Sequence, residues 1–196
     1  MKKLTLFLVI CIGLLIGCTK ENGPATKTEN PSKTAVANKL AIDSFFVTGA
    51  SSYEFGNKFY ASKNGKITKL GCRMPAVGSY RVSLWDFATT NLIAATTINL
   101  TDTAQFKYND ISAVDIVANT RYVISINNTS SGVAKQYFIF YKKPGTASIY
   151  PFTTGSITYE TLQEKLSAIS IFPDIVLLND QKYFGGVPDI QFEYTE

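Results

Sequence analysis

The sequence predicts an all-β fold, an antiparallel, jelly-roll-like β-sandwich with one short helix in its C-terminal half. Apolar residues alternate with period two in many short runs, β-branched and aromatic side chains fill those runs, and Gly, Pro, Asn and Asp separate them. In the run 80–85, Tyr80, Val82 and Leu84 share one face of a strand while Arg81, Ser83 and Trp85 share the other. Taken in chain order, strands are expected at 45–47 and 57–61. Asn64-Gly65 follows, a pair suited to the positive φ values of a type I′ turn, and predicts a hairpin onto 66–70. Leu70, Cys72 and Met74 continue the alternation to a turn at 75–78, and strand 80–85 leads to 92–100. Ala104, Phe106 and Tyr108 alternate before a turn at Asn109-Asp110, and a short strand is expected at 115–117. Tyr122, Ile124 and Ile126 alternate ahead of a turn-rich stretch at 127–132. A strand is expected at 136–142, and within it residues 137–141 are aromatic or apolar on both faces, which suits either a central strand or a displayed binding face. Residues 158–169 break the period. There Leu162, Leu166 and Ile169 fall at i, i+4 and i+7, with Ser156 or Thr158 as caps, and predict an amphipathic helix over one end of the sandwich. A last strand is expected at 189–194.

This domain spans 41–196, a length that buries a substantial core. Residues 1–17 read as a signal peptide, with Lys2 and Lys3 ahead of an apolar run at 4–16. That run is too short for the ~20-residue helix that crosses a bilayer. Leu15-Ile16-Gly17-Cys18 resembles the bacterial lipobox, and the resemblance implies cleavage before Cys18 and lipidation of its thiol and amine. Several acyl chains, at about 0.8 kcal/mol per buried methylene, make a stable membrane anchor. Thr19 rather than Asp after the cysteine is similar to outer-membrane lipoproteins of Gram-negative bacteria, and the start CTKEN resembles lipoproteins of the Bacteroidota. The implied location is the outer membrane, facing the periplasm or the cell exterior. Residues 18–40, rich in Lys, Thr, Asn, Ala and Pro and free of aromatics, are expected to form a disordered tether.

From Asp43 onward the chain carries 13 Lys and Arg against 13 Asp and Glu, so the net +4 of the whole sequence lies ahead of the domain. No basic patch supports nucleic-acid binding. Cys11 falls in the signal peptide and Cys18 at the lipidation site, which leaves Cys72 without a disulfide partner. Flanked at i±2 by Leu70 and Met74, Cys72 is expected to be an unreactive core residue.

The segments 55–62, 64–70 and 82–86, with 118–125, resemble a family of bacterial extracellular modules known as domain of unknown function 4082. They contain Gly56, Phe59, Ala61 and Ser62, then Gly65, Ile67 and Leu70, then Ser83-Leu84-Trp85-Asp86, then Thr120, Tyr122 and Ser125. After Leu70 the family's aromatic-rich run is replaced by Gly71-Cys72-Arg73-Met74. The resemblance implies a β-sandwich with an extracellular role and assigns no activity.

The chain has no histidine, which removes Ser-His-Asp and Cys-His chemistry and every His-containing zinc site. Neither a phosphate-binding Walker loop nor a dinucleotide-binding glycine motif is present. No catalytic residue, cofactor or metal is therefore expected. A calcium site would need Asn179, Asp180 and Asp189 to converge, and the absence of a D-x-D-x-D-G loop favours turn residues instead. The leading functional expectation is a noncatalytic surface module binding a glycan or related extracellular ligand. Its candidate contacts are the aromatics Trp85, Tyr183 and Phe184 with the polar neighbours Asp86, Asn91 and Asn128. Trp85 suits a sugar platform or core filling, with core slightly favoured. The alternative is a structural or protein-interaction lipoprotein of the outer membrane, which predicts an apolar patch or an unprotected edge strand. A carboxylate-dependent glycoside hydrolase ranks third and would need two acids some 5–10 Å apart.

Overall fold

A computed structural model describes residues 24–196 except Ala50 and Leu177. In chain order its strands are β1 (Thr26–Glu29), β2 (Ser44–Thr48), β3 (Tyr53–Ala61), β4 (Gly65–Cys72), β5 (Gly78–Asp86), β6 (Leu92–Leu100), β7 (Lys107–Ile116) and β8 (Arg121–Asn127). They continue as β9 (Thr129–Ser130), β10 (Val133–Ala134), β11 (Tyr137–Tyr141), β12 (Phe152–Thr154), β13 (Ile157–Leu166), β14 (Tyr183–Gly185) and β15 (Pro188–Thr195). Helix α1 (Pro31–Asn38) lies between β1 and β2. Antiparallel pairing builds a six-stranded sheet, β12-β13-β3-β8-β5-β6, and a four-stranded sheet, β1-β15-β4-β7. A third sheet, β14-β11-β2, packs through β14 against β3 and β13, and β9 pairs with β10.

The alternation read from the sequence produces the core directly. Tyr80, Val82 and Leu84 of β5, Ile124 and Ile126 of β8 and Phe59 of β3 are buried against Ile67 and Leu70 of β4 and Ile190 and Phe192 of β15. Each such side chain contributes roughly 1.5–3 kcal/mol on burial. Cys72 is buried among them, and loss of water pushes its thiol well above its ordinary range. Of the two readings of 136–142, core prevails: Tyr137, Phe138, Ile139 and Phe140 are buried in β11, the central strand of its sheet.

Four expectations are corrected. The amphipathic helix at 158–169 is instead strand β13, rich in β-branched and aromatic residues at its start. A bulge between Tyr159 and Thr161 shifts its register on β3, so Ile157, Tyr159 and Leu162 are all buried at a spacing of two and then three. That irregular step imitates a helical period, while Leu166 and Ile169, expected on the helix face, are 67% and 72% exposed. The Asn64-Gly65 hairpin does not form. β3 pairs with β13 and β8, β4 pairs with β15 and β7, and the chain at 62–64 crosses from one sheet to the other. Gly65 answers a close approach rather than a turn: a Cβ there would stand 2.3 Å from the Glu193 carbonyl oxygen and 2.6 Å from the Phe192 ring. Asn109-Asp110, expected as a turn, lies inside β7, which replaces the two short strands anticipated around it.

The fourth correction concerns the tether, whose expected span of 18–40 is too long. β1 pairs with β15 from Thr26 to Glu29, and two carboxylates fasten the segment. Glu29 accepts the backbone N–H and hydroxyl of Ser156, at 2.9 and 2.6 Å, and the hydroxyl of Tyr194. Asp189, fully buried on β15, accepts the backbone N–H groups of Ser32 and Lys33 at 2.8 and 3.0 Å, and the Tyr108 hydroxyl at 2.6 Å. Those two N–H groups belong to the first turn of α1, where no helical acceptor is available to them. Composition alone hid this, because the segment buries few apolar residues of its own.

Register also defines two ends. Asp86 lies opposite Tyr122, Tyr60 opposite Arg121, Gly65 opposite Ile116 and Thr195 opposite Thr26. One end of the sandwich therefore gathers the turns at 62–64, 87–91 and 117–120 with the start of β1. Asn64 Oδ1 accepts the Ala118 N–H there, and the Ala61 carbonyl accepts that of Asn119. The opposite end carries the turns at 73–77, 101–106 and 128–136.

Candidate functional site

Four residues of the recognisable motifs, Gly56, Ser83, Trp85 and Ser125, meet on the outer face of the six-stranded sheet. Alternation turns Ser83 and Trp85 of β5, Ser125 and Asn127 of β8, and Glu54 and Gly56 of β3 away from the core. Such a face would ordinarily meet water. Here residues 167–174, leaving β13, cross over it as a strap. The Trp85 indole Nε1 donates to Ser125 Oγ at 2.7 Å, and Ser125 Oγ in turn donates to Glu54 Oε1. Ser170 of the strap donates to the same carboxylate oxygen at 3.3 Å and pairs with Ser83 Oγ at 2.9 Å. Asn127 Nδ2 donates to the carbonyls of Ser167 and Ile169, both at 3.1 Å. Phe172 meets the Trp85 ring edge-on with centroids 6.0 Å apart, and Pro173 occupies the space that a Cβ on Gly56 would need, 2.4 Å away. Gly56, Ser83, Trp85 and Ser125 are thus selected by the strap that covers them.

Glu54 is the unusual member of this layer. It is fully buried, its Oε2 has no hydrogen-bond partner, and loss of water pushes its carboxyl up to about 7 against the restraining bonds from Ser125, Asn127 and Ser170. Because the folded value lies above the ordinary 4.5, the native protein binds more protons than the unfolded chain between those limits. Stability is then greatest on the acid side and falls as pH rises from 4.5 through 7, by on the order of 3 kcal/mol at about 1.4 kcal/mol per pH unit. Asp189, raised to about 6 chiefly by burial, acts in the same direction over a lower window. Urea denaturation at pH 5 and pH 8 is expected to show the loss, and Glu54→Gln is expected to flatten it. A slope unchanged in that variant would contradict this account.

The six residues expected to contact a ligand do not converge. Trp85 is 7% exposed beneath the strap, and Phe184 is buried in the core against Tyr159 and Phe152. Asn128 is fully buried; its carboxamide accepts the Tyr53 N–H and donates to the carbonyls of Ser51 and Lys135, which fixes the backbone around β9 and β10. Asp86 ends β5, and Asn91 lies in the turn that follows it. There Asp86 accepts the N–H and hydroxyl of Thr89, bonds that hold its carboxyl below the usual range. Tyr183 sits half-buried on β14, its ring edge-on to Phe46. Cys18 lies outside the described residues. Asp189, with its oxygens taken by Ser32, Lys33, Tyr108 and Ile190, does not serve a calcium site. Among the described residues no group of three His, Cys, Asp or Glu is placed to hold a metal.

An exposed apolar surface that the sequence reading did not pick out as a site is β2. Phe45, Phe46 and Val47 are 55%, 42% and 41% exposed in succession, on both faces of a strand paired on one side only. Phe45 packs against Phe138 and Phe140, and Phe46 against Tyr141 and Tyr183. The run SFFVT carries no charge and no proline, the two common protections of a sheet edge. Its continuous apolar character, without alternation, was the signal available.

No curated protein matches the chain. The family described as a domain of unknown function, DUF4082, matches residues 42–174, from the approach to β2 through the end of the strap. That match covers two-thirds of the sequence and both the motif strands and the segment that covers them, so the chain belongs to the DUF4082 family.

Proposed function

We propose that this protein is a noncatalytic lipoprotein of the outer membrane, anchored through Cys18, that binds an extended apolar segment of another envelope protein along the free edge of β2. The carrying observation is that edge: a five-residue strand with one side of its backbone unpaired, bordered by Phe45, Phe46 and Val47. An added strand would satisfy the backbone groups and cover apolar side chains on both faces, which is how strand addition yields affinity and specificity. The fates of Trp85, Phe184 and Asn128 weigh against a glycan platform built on them, since each is enclosed by its own domain. The two buried acids are likewise engaged, Glu54 under the strap and Asp189 at α1, which favours binding over hydrolysis.

A photo-crosslinking residue at Val47 in cells carrying the intact anchor tests the reading. A discrete adduct is expected, and Phe46→Lys, which sets a charge on the edge without opening the core, is expected to abolish it. An adduct that persists at equal yield in Phe46→Lys, or no adduct at all, would refute edge pairing. Saturable binding of a polysaccharide by residues 24–196 would return the glycan reading to first place.

A further inference from the structure

We infer that the end of the sandwich carrying the turns at 62–64, 87–91 and 117–120 lies against the lipid surface, an inference that rests on the proposed anchor at Cys18. Eight peptide steps separate Cys18 from Thr26, the first residue of β1. At no more than about 3.6 Å each, they extend to roughly 30 Å when fully taut. The nine residues of β5, at about 3.3 Å each, make the sandwich itself close to 30 Å tall. Thr26 enters at one end of this structure and not at its waist, as its pairing with Thr195 shows. An inverted domain, with the opposite end alone against the membrane, would need a fully taut linker, so a linker with any slack favours the end at which the chain enters as the nearer one.

The chemistry of that end suits a headgroup layer. Lys66 pairs with Asp115, Arg121 with Glu160 and Lys27 with Glu196, which neutralises those charges in place, while Lys63 in the turn at 62–64 and Asp86 beside the turn at 87–91 add one charge of each sign without an ion pair among the described residues. Val117, 57% exposed, projects among the uncharged turn residues Asn64, Ala118, Asn119 and Thr120. Recognition is affected in two ways. Asp86 and Asn91 belong to the lipid-facing end and are withdrawn from ligands arriving from outside. The free edge of β2 runs toward the opposite end, where β3 begins at Tyr53 and β11 at Tyr137, and stays accessible.

The test uses the full chain, lipidated in cells, purified from membranes and reconstituted in phosphatidylethanolamine–phosphatidylglycerol vesicles that contain an acceptor-labelled lipid. A donor dye is placed at Val117→Cys or, on the opposite end, at exposed Val77→Cys; Cys72 is buried and Cys18 is blocked by lipid. Energy transfer is expected to be at least two-fold stronger from position 117. Inserting twenty Gly and Ser residues between Gly23 and Pro24 is expected to shrink the difference, and an unchanged difference would refute the short linker as its cause. Equal or reversed transfer, in protein whose vesicle association still requires Cys18, would overturn the orientation and leave the anchor standing. Association that survives Cys18→Ala would overturn the anchor itself.

Discussion

Asp189→Ala is expected to destabilise the protein by about 3–5 kcal/mol and to free residues 26–38 from the sheet. The carboxylate is the common acceptor for the N–H groups of Ser32 and Lys33 and for the hydroxyl of Tyr108, all in a site without water access around Asp189. Alanine leaves these donors unsatisfied, at about 1–3 kcal/mol for each that stays buried. Relaxation offers an escape: α1 can lift away and hydrate its first turn, at the expense of its contacts with β15 and β12. The total loss is therefore capped near the value of docking the segment. Hydrogen exchange should show the amides of 32–35 losing protection while those of β5 and β8 retain theirs. Uniform loss across both sheets, or no loss at 32–35, would contradict a local latch.

Trp85→Ala is expected to cost a similar 3–5 kcal/mol, roughly the range for removing a large buried aromatic side chain. Part of this is the void left between the sheet and Phe172, and part is the bond from Nε1 to Ser125. Trp85→Phe keeps a ring against Phe172 and removes only the donor, so roughly 1–2 kcal/mol is expected. Chemical denaturation ranks the three proteins, and limited proteolysis should cut first within 167–174 in the alanine variant. Stability within about 1 kcal/mol of the parent would mean that the indole is not structural. A loss of ligand binding in Trp85→Ala could not by itself identify a contact, because the same change dismantles the strap.

The parts of the fold legible in the sequence are those where one local rule acts alone. Tyr80, Val82 and Leu84 alternate because one face of β5 meets the core, and nothing interrupts the strand there. The misreadings arise where a distant segment decides the outcome. Asn64-Gly65 reports a bend but not which sheet the next strand will join. The bulge after Tyr159 moves Leu162 onto the core face and erases the period on which strand recognition depends. The face occupied by Trp85 followed from the alternation, yet its burial depends on Phe172, 87 residues later. Asp189 and Glu29 were invisible as latches because acidic residues are usually solvated, and Ser32 and Ser156, which they respectively hold, lie well over 100 residues from them. For the candidate site, β2 was legible as a strand, whereas its exposure depended on which side of β11 remained unpaired.

The pairing of β1 with β15 has a kinetic consequence. Strands from the two ends of the described chain are neighbours, and β15 is also the strand that closes the edge of β4. A central strand of the four-stranded sheet is thus the last of the described strands to be synthesised. Until it arrives, β4 keeps one unpaired edge, β1 has no partner, and the carboxylate that docks α1 is absent. Contacts of such long sequence separation slow folding and prolong the life of aggregation-prone intermediates. A nascent or truncated chain that stops short of β15 would carry an open edge at β4 as well as at β2, with a self-association hazard that the finished domain has reduced.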